Sequence, residues 1–286
     1  SRYEIEAYDY VYDFDGSALP IATYAADSEF QDIRTAELQL SSNATSGGAD
    51  WLQWVGGLYY LQSEGGYDPG YLRLLDTAQL PIQPILDALP AALVDALRDP
   101  LGNVIVPASL TFYFTGLLET ESYSGYAQTT ASLSETLDFT LGGRYQRETR
   151  RLARSDVGLD NLAGGQSTAI AFAPREATVN NFSPKVSLDW RPLDELLLYA
   201  SFQQGFKSAT YNIINIYQQP DYVKPERVTS YELGLKSDLL DRQLRFNAAV
   251  FQSDISNLQT GFLSFTSGGA INFENAGRAR IRGVEF

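Results

Sequence analysis

The stretch Leu137-Asp138-Phe139-Thr140-Leu141-Gly142-Gly143-Arg144-Tyr145-Gln146 decides how this chain is read. Its odd positions are mostly apolar and its even positions polar or glycine. Successive side chains of a strand point to opposite faces, so 137, 139, 141, 143 and 145 share one face and 138, 140, 142, 144 and 146 the other. The same alternation runs through Leu196, Leu198, Ala200 and Phe202, through Tyr231, Leu233 and Leu235, and through Leu244, Phe246, Ala248 and Val250. One apolar and one mostly polar face suits a half-exposed soluble sheet and a membrane barrel alike. Period two favours neither.

Length and spacing favour the barrel. The alternation predicts strands over 3–12, 30–41, 51–62, 121–133, 136–150, 180–191, 195–207, 226–237, 242–256 and 271–286. Most run about ten residues or more, whereas globular strands average about 5–6. A tilted membrane strand needs about 9–11. The connections alternate as well. Ser134-Glu135, Pro192-Leu193-Asp194 and Leu239-Leu240-Asp241 read as tight turns; 151–179, 208–225 and 257–270 are long and rich in Asn, Gly, Ser and Gln. Short turns at one end and long loops at the other organise an outer-membrane barrel, with the long loops outside the cell. Segments 136–150, 195–207 and 242–256 also resemble one another, each an alternating strand after a short acidic turn, which reads as a recurring hairpin unit.

Helical crossing of a bilayer is excluded, because no 18-residue run lacks charge or proline. The nearest candidate, Leu80 to Leu97, is broken by Pro81, Pro84 and Pro90 and carries Asp87 and Asp95. Within it Leu86, Leu89, Leu93, Val94 and Leu97 fall at helical spacing, with Asp99-Pro100 ending the segment. This predicts a short helix packed inside a long loop insertion over 64–118.

Composition removes most chemistry. Of 286 residues none is Cys, His or Met, so disulfides, thiolate nucleophiles, imidazole bases and His/Cys zinc sites are excluded. The formal charge of −14 argues against nucleic acid as a partner. Asp13-Phe14-Asp15-Gly16 resembles the middle of a calcium loop, but the first and twelfth ligand positions would be Val11 and Ala22, so it reads as a polar turn. Asp9, Asp13, Asp15, Asp27 and Asp32 read as a solvated loop face. No catalytic, metal or ligand-binding residue is assigned, no cofactor is expected, and the chain reads as a non-enzyme. Trp51, Trp54, Tyr59, Tyr60, Trp190 and Tyr199 suit interfacial girdles and ordinary core positions about equally. A complete translation product begins with Met, and this chain begins Ser1-Arg2-Tyr3, so it is expected to be a processed product or a piece of a longer protein.

Several segments carry a family resemblance. Ser183-Pro184-Lys185-Val186-Ser187-Leu188, Leu198-Tyr199-Ala200-Ser201-Phe202 and Gly205-Phe206-Lys207 resemble the barrel of TonB-dependent outer-membrane receptors. So do Ser230-Tyr231-Glu232-Leu233-Gly234-Leu235-Lys236, Asn247-Ala248-Ala249-Val250-Phe251, and Asn275-Ala276-Gly277 with Arg282-Gly283-Val284-Glu285. Upstream, Ala36-Glu37-Leu38-Gln39-Leu40, Trp54-Val55-Gly56-Gly57-Leu58-Tyr59-Tyr60 and Leu141-Gly142-Gly143-Arg144-Tyr145 fit the same barrel. The likeness spans the chain except roughly 64–118. It implies an all-β fold: an antiparallel transmembrane β-barrel fragment over 1–286, roughly half of a barrel of about 22 strands whose lumen is plugged. The plug and the TonB-box segment are missing, and further strands are expected beyond Phe286.

The resemblance implies energised uptake of a scarce ligand, such as siderophore-bound iron, cobalamin or a glycan, across the bacterial cell outer membrane. The partners it implies are outer-membrane lipid and the TonB complex, the latter reached through segments missing from this chain. Two other readings stay open: a passive, plug-free porin-like barrel and, further off, a soluble all-β binding module.

Overall fold

The computed structural model describes residues 1–13, 18–19, 21–42, 51–160, 166–213, 215, 217–241, 243–263 and 271–286. Its strands are β1 (Arg2–Asp13), β2 (Ala22–Ser41), β3 (Leu52–Leu74), β4 (Leu110–Ser134), β5 (Leu137–Asp160), β6 (Gln166–Ala171), β7 (Arg175–Leu193), β8 (Leu196–Lys207), β9 (Thr210–Tyr211), β10 (Tyr222–Val223), β11 (Glu226–Leu239), β12 (Leu244–Ser256), β13 (Gln259–Leu263), β14 (Ile271–Asn275) and β15 (Arg278–Glu285). One 11-stranded antiparallel sheet follows the order β1-β2-β3-β4-β5-β7-β8-β11-β12-β15, with β6 added to β5. The pairs β9/β10 and β13/β14 form small sheets of their own. β4 to β5, β7 to β8 and β11 to β12 are joined by short turns at one end, and β3 to β4, β8 to β11 and β12 to β15 by longer excursions at the other, as the spacing predicts.

The tight turns fall at Glu135-Thr136, Asp194-Glu195 and 240–243. Leu240 and Asp241 both take left-handed backbone, φ 54° and 52°, which lets so short a connection follow the twist of its strands. At the other end several strands outrun the expected bounds. β3 and β4 continue to Leu74 and back from Leu110, so the insertion expected over 64–118 is a loop only between residues 75 and 109. β5 likewise continues to Asp160 and β7 begins at Arg175, inside the loop expected over 151–179. The reason is a change of polarity within the strands. On β3 a register shift between Tyr67 and Gly70 turns the even positions, outward at Leu58, inward at Leu72 and Leu74. On β4 the apolar side chains up to Phe114 lie at even, inward positions, whereas the outward face further on is odd, so neither strand shows one apolar face along its length. The segment expected as one strand over 271–286 is β14 and β15, parted at Ala276-Gly277, where Gly277 has φ 103°.

Side-chain burial is inverted relative to a water-soluble sheet. On the convex face Leu58 is 65 %, Leu141 52 % and Leu233 58 % exposed, while on the concave face Ser122 is 3 % and Thr140 7 % exposed. Pairing carries this through the sheet: Leu141 lies opposite Val186, Val186 opposite Phe202, and Phe202 opposite Tyr231. The outward apolar run on β5 extends from Leu137 to Tyr145, about the 9–11 residues a tilted membrane strand needs. Beyond it Arg147 and Arg151 face out, and on β12 Gln252 and Asp254 follow Val250. The predicted register of 137–146 is the observed one.

An apolar core sits at the long-loop end, on the concave face. Tyr24, Leu72, Phe112 and Leu159 form one cross-strand row, and Ala22, Leu74 and Leu110 the next. Residues 75–109 fold down onto these rows through α1 (Ile82–Ala88) and α2 (Ala91–Asp95), burying Ile85, Leu86, Leu89, Leu93 and Leu97. The one expected helix is two, because Pro90 has no N–H to extend the ladder of α1 and instead precedes α2. Leu86, Leu89, Leu93 and Leu97 share the buried side, with Val94 partly buried against it.

Candidate functional site

The concave wall presents successive polar rows. Glu37, Tyr59, Ser124, Gln146 and Asn181 lie opposite one another across β2, β3, β4, β5 and β7; Gln39, Gly57, Tyr126, Arg144 and Ser183 form the adjacent row. The Tyr126 hydroxyl lies 2.6 Å from Glu37 Oε1 and 2.9 Å from Gln39 Oε1. The Arg144 guanidinium rests over the Tyr59 ring, 5.3 Å from its centre. A charge on the lipid side at mid-depth costs about 2–4 kcal/mol, which is why Arg144 occupies the inner face.

Toward the loop end this wall opens into a cavity of 890 Å³ lined in part by Glu29, Gln31, Ser63, Thr120, Glu148 and Arg150. Glu148, 7 % exposed, ties the region together. Its carboxylate accepts from Arg150 Nε at 3.0 Å, Gln146 Nε2 at 3.0 Å and Ser208 Oγ at 2.9 Å. The last contact draws segment 208–225 down into the concavity. There Ile213 meets Gly116 so closely that a Cβ on residue 116 would lie 2.0 Å from Ile213 Cγ2. Only glycine allows that approach.

Above the cavity, the segment 208–225 and the β13–β14 hairpin are held by asparagines acting as substitute backbone. Asn212 donates to the Phe273 carbonyl at 2.9 Å and accepts from its N–H at 2.8 Å. Asn275 accepts from the Lys224 N–H at 2.8 Å and donates to the Lys224 carbonyl at 2.9 Å. Between them lies a second pocket, of 520 Å³, bounded by Asn215, Tyr217, Asp221, Tyr222, Phe262 and the end of α1. Burial pushes the Tyr217 hydroxyl above its ordinary pKa. On the neighbouring loop the Asn103 side chain and surrounding backbone N–H groups hold the Asp99 carboxyl below its usual range.

The arrangement offers a polar solute hydrogen-bonding partners, and among the described residues no catalytic constellation is assembled. Among the described residues no three Asp or Glu side chains are grouped to hold a metal. Asp27 accepts from the Tyr71 hydroxyl at 2.6 Å, and Asp32 from Arg2 and Arg34, so they do not converge. Asp13 ends β1; the rest of the Asp13–Gly16 turn lies outside the described residues. The aromatics divide between the two readings. Trp54, Tyr60 and Trp190 stand on the outer face, whereas Tyr59 and Tyr199 face inward. Glu148 and the paired asparagines escaped notice in the sequence, where nothing but the Asn/Gln richness of 208–225 marks them.

A curved antiparallel meander with an apolar convex band, a polar concave wall and elaborated loops at one end defines a transmembrane β-barrel wall. Its sequence matches the family described as TonB dependent receptor-like, beta-barrel, over residues 1–286, and the chain belongs to that family. Its place is accordingly the outer membrane of a Gram-negative cell, with the long loops outside. A probable TonB-dependent receptor, BfrD, of Bordetella pertussis is 25 % identical over 227 residues, covering 76 % of this chain and 28 % of the relative. The ferric yersiniabactin uptake receptor FyuA of Yersinia pestis has the same fold at a TM-score of 0.61 and 17 % identity, covering 92 % of this chain and 33 % of that one. The copper transporter OprC gives 0.59 and 14 %, covering 94 % and 36 %. The chain thus spans between 28 % and 36 % of the length of these three proteins.

Proposed function

We propose that this chain is part of the barrel wall of a receptor that takes up a scarce, large ligand through the outer membrane with energy supplied by TonB. The ligand classes are those the family resemblance implies: siderophore-bound iron, cobalamin or a glycan. The polar concave wall that opens beneath the extracellular loops carries this reading. A cavity of 890 Å³ behind a mouth built of amides and tyrosines suits a hydroxyl- and amide-bearing solute larger than an ion. Coupling to TonB runs through segments outside this chain. The role is transport, with no chemical step.

The test is uptake by cells that carry the full-length protein as their sole receptor. Ferric siderophores, cobalamin and oligosaccharides are supplied as labelled ligands, with and without TonB. Saturable uptake of one class that disappears without TonB is expected. Uptake that is non-saturable and indifferent to TonB would show a passive pore instead.

A further inference from the structure

Arg144, Gln146, Glu148 and Arg150 stand at every second position of β5 on the concave wall, and the last two reach the cavity of 890 Å³. Glu148 is buried and accepts the Arg150 Nε–H at 3.0 Å, so the two charges offset one another. That bond leaves both terminal amino groups of the Arg150 guanidinium without a partner among the described residues, on a side chain that lines the cavity. Glu148 is fully committed, because Gln146 Nε2 and Ser208 Oγ hold its other oxygen at 3.0 and 2.9 Å. A guanidinium donates and never accepts, so whatever faces its free edge must bring acceptor oxygens. Among the described residues, the one further charged side chain of the lining is Glu29. One arginine against two carboxylates leaves the lining with a net charge of −1. The cavity thus offers a donor fork without the surplus of positive charge that would offset bringing an anion out of water.

We propose that the Glu148–Arg150 pair sets the charge selectivity of the cavity: it takes an uncharged ligand that presents acceptor oxygens to Arg150 and discriminates against polyanions. This rests on the uptake reading above and narrows its ligand class. A carbonyl or hydroxyl oxygen accepts from the free amino groups of Arg150 without bringing a charge of its own. A complex carrying several negative charges gains the same hydrogen bonds, but meets Glu148 and Glu29 where water screens them little. Arg150 is the contact in this arrangement. Glu148 is a positioning residue, acting on the ligand through the arginine it orients and neutralises.

The full-length receptor in detergent is titrated with uncharged probes, namely a neutral ferric trihydroxamate, cyanocobalamin and a malto-oligosaccharide, and with the iron(III) tris-catecholate trianion. The wild type should bind one uncharged probe at least about tenfold more tightly than the trianion. Glu148→Gln keeps an acceptor for Arg150 and removes the charge, so it should narrow that ratio about tenfold, the effect of one charge at short range. Glu29→Gln should move it in the same direction. Arg150→Gln should weaken the uncharged probe about tenfold, and Arg150→Lys should not restore it, because an ammonium has no fork. Ser208→Ala loosens the loop contact but changes no charge, and should leave the ratio where it was. Unheated gel mobility identifies the variants that form the barrel. Tighter binding of the trianion by the wild type, binding of no uncharged probe, or a ratio unmoved by both carboxylate variants would overturn the inference. None of these touches the TonB dependence of uptake, which is read in cells and bears on the uptake reading alone.

Discussion

At the scale of single residues, the inverted burial makes position 141 diagnostic. Leu141 faces outward in mid-band, so Leu141→Arg should destabilise the full-length receptor folded in lipid vesicles by about 2–4 kcal/mol. Gln203→Arg, on the concave wall of β8, should change stability by no more than about 0.5 kcal/mol. Denaturant titration in vesicles measures both. A second residue-level feature is the aromatic ring laid over a cross-strand glycine. A Cβ on Gly234 would lie 2.4 Å from Tyr199 Cζ, and the Tyr199 hydroxyl donates to Glu232 at 2.6 Å. The ring covers the bare backbone and pins the register of β8 against β11. Gly234→Val should therefore cost about 1–3 kcal/mol by displacing the ring. Gly205→Val, with nothing within 4 Å of its Cβ, should be close to neutral in the same titration.

At the scale of elements, the helical cap is separable from the wall beneath it. Leu93 and Leu97 are fully buried, and the surface they cover is the apolar end of β2 to β5 rather than the membrane band. Replacing both by alanine should loosen the cap by about 2–5 kcal/mol per site. Limited proteolysis should then cut within 75–109 while the barrel keeps its unheated gel mobility; loss of both together would show that the cap helps to hold the wall. This cap also shows what the sequence conceals. Leu86, Leu89, Leu93 and Leu97 announce a helix by spacing alone. The strands that receive it do not announce their length, because Leu72, Leu74, Phe112 and Phe114 carry their apolar side on the concave face while Leu58 and Leu141 carry theirs on the convex. The alternation persists and its meaning reverses. The mouth is more hidden still, since Gly116 against Ile213 and Asn212 against Phe273 join residues far apart in sequence with no local pattern.

At the scale of the whole molecule, the strand order, the turn asymmetry and the register of the band were legible from period two, strand length and connection length, which are local properties. The cavities were not, because they depend on which loops fold inward. Among the described residues β1 and β15 each pair on one side only, so the isolated chain would expose two unpaired edges together with an apolar convex face. Residues 1–286 expressed alone are therefore expected to stay insoluble without detergent and to run as an unfolded band on unheated gels; a compact, heat-modifiable monomer would contradict this. The central claim is that the convex face meets lipid and the concave face water. It is tested most directly by spin labels placed singly along 137–146 of the intact receptor in bilayers, read for collision with oxygen and with an aqueous relaxation agent. Odd positions should favour oxygen and even positions the aqueous agent, in strict alternation, whereas uniform accessibility or the opposite phase would contradict the account.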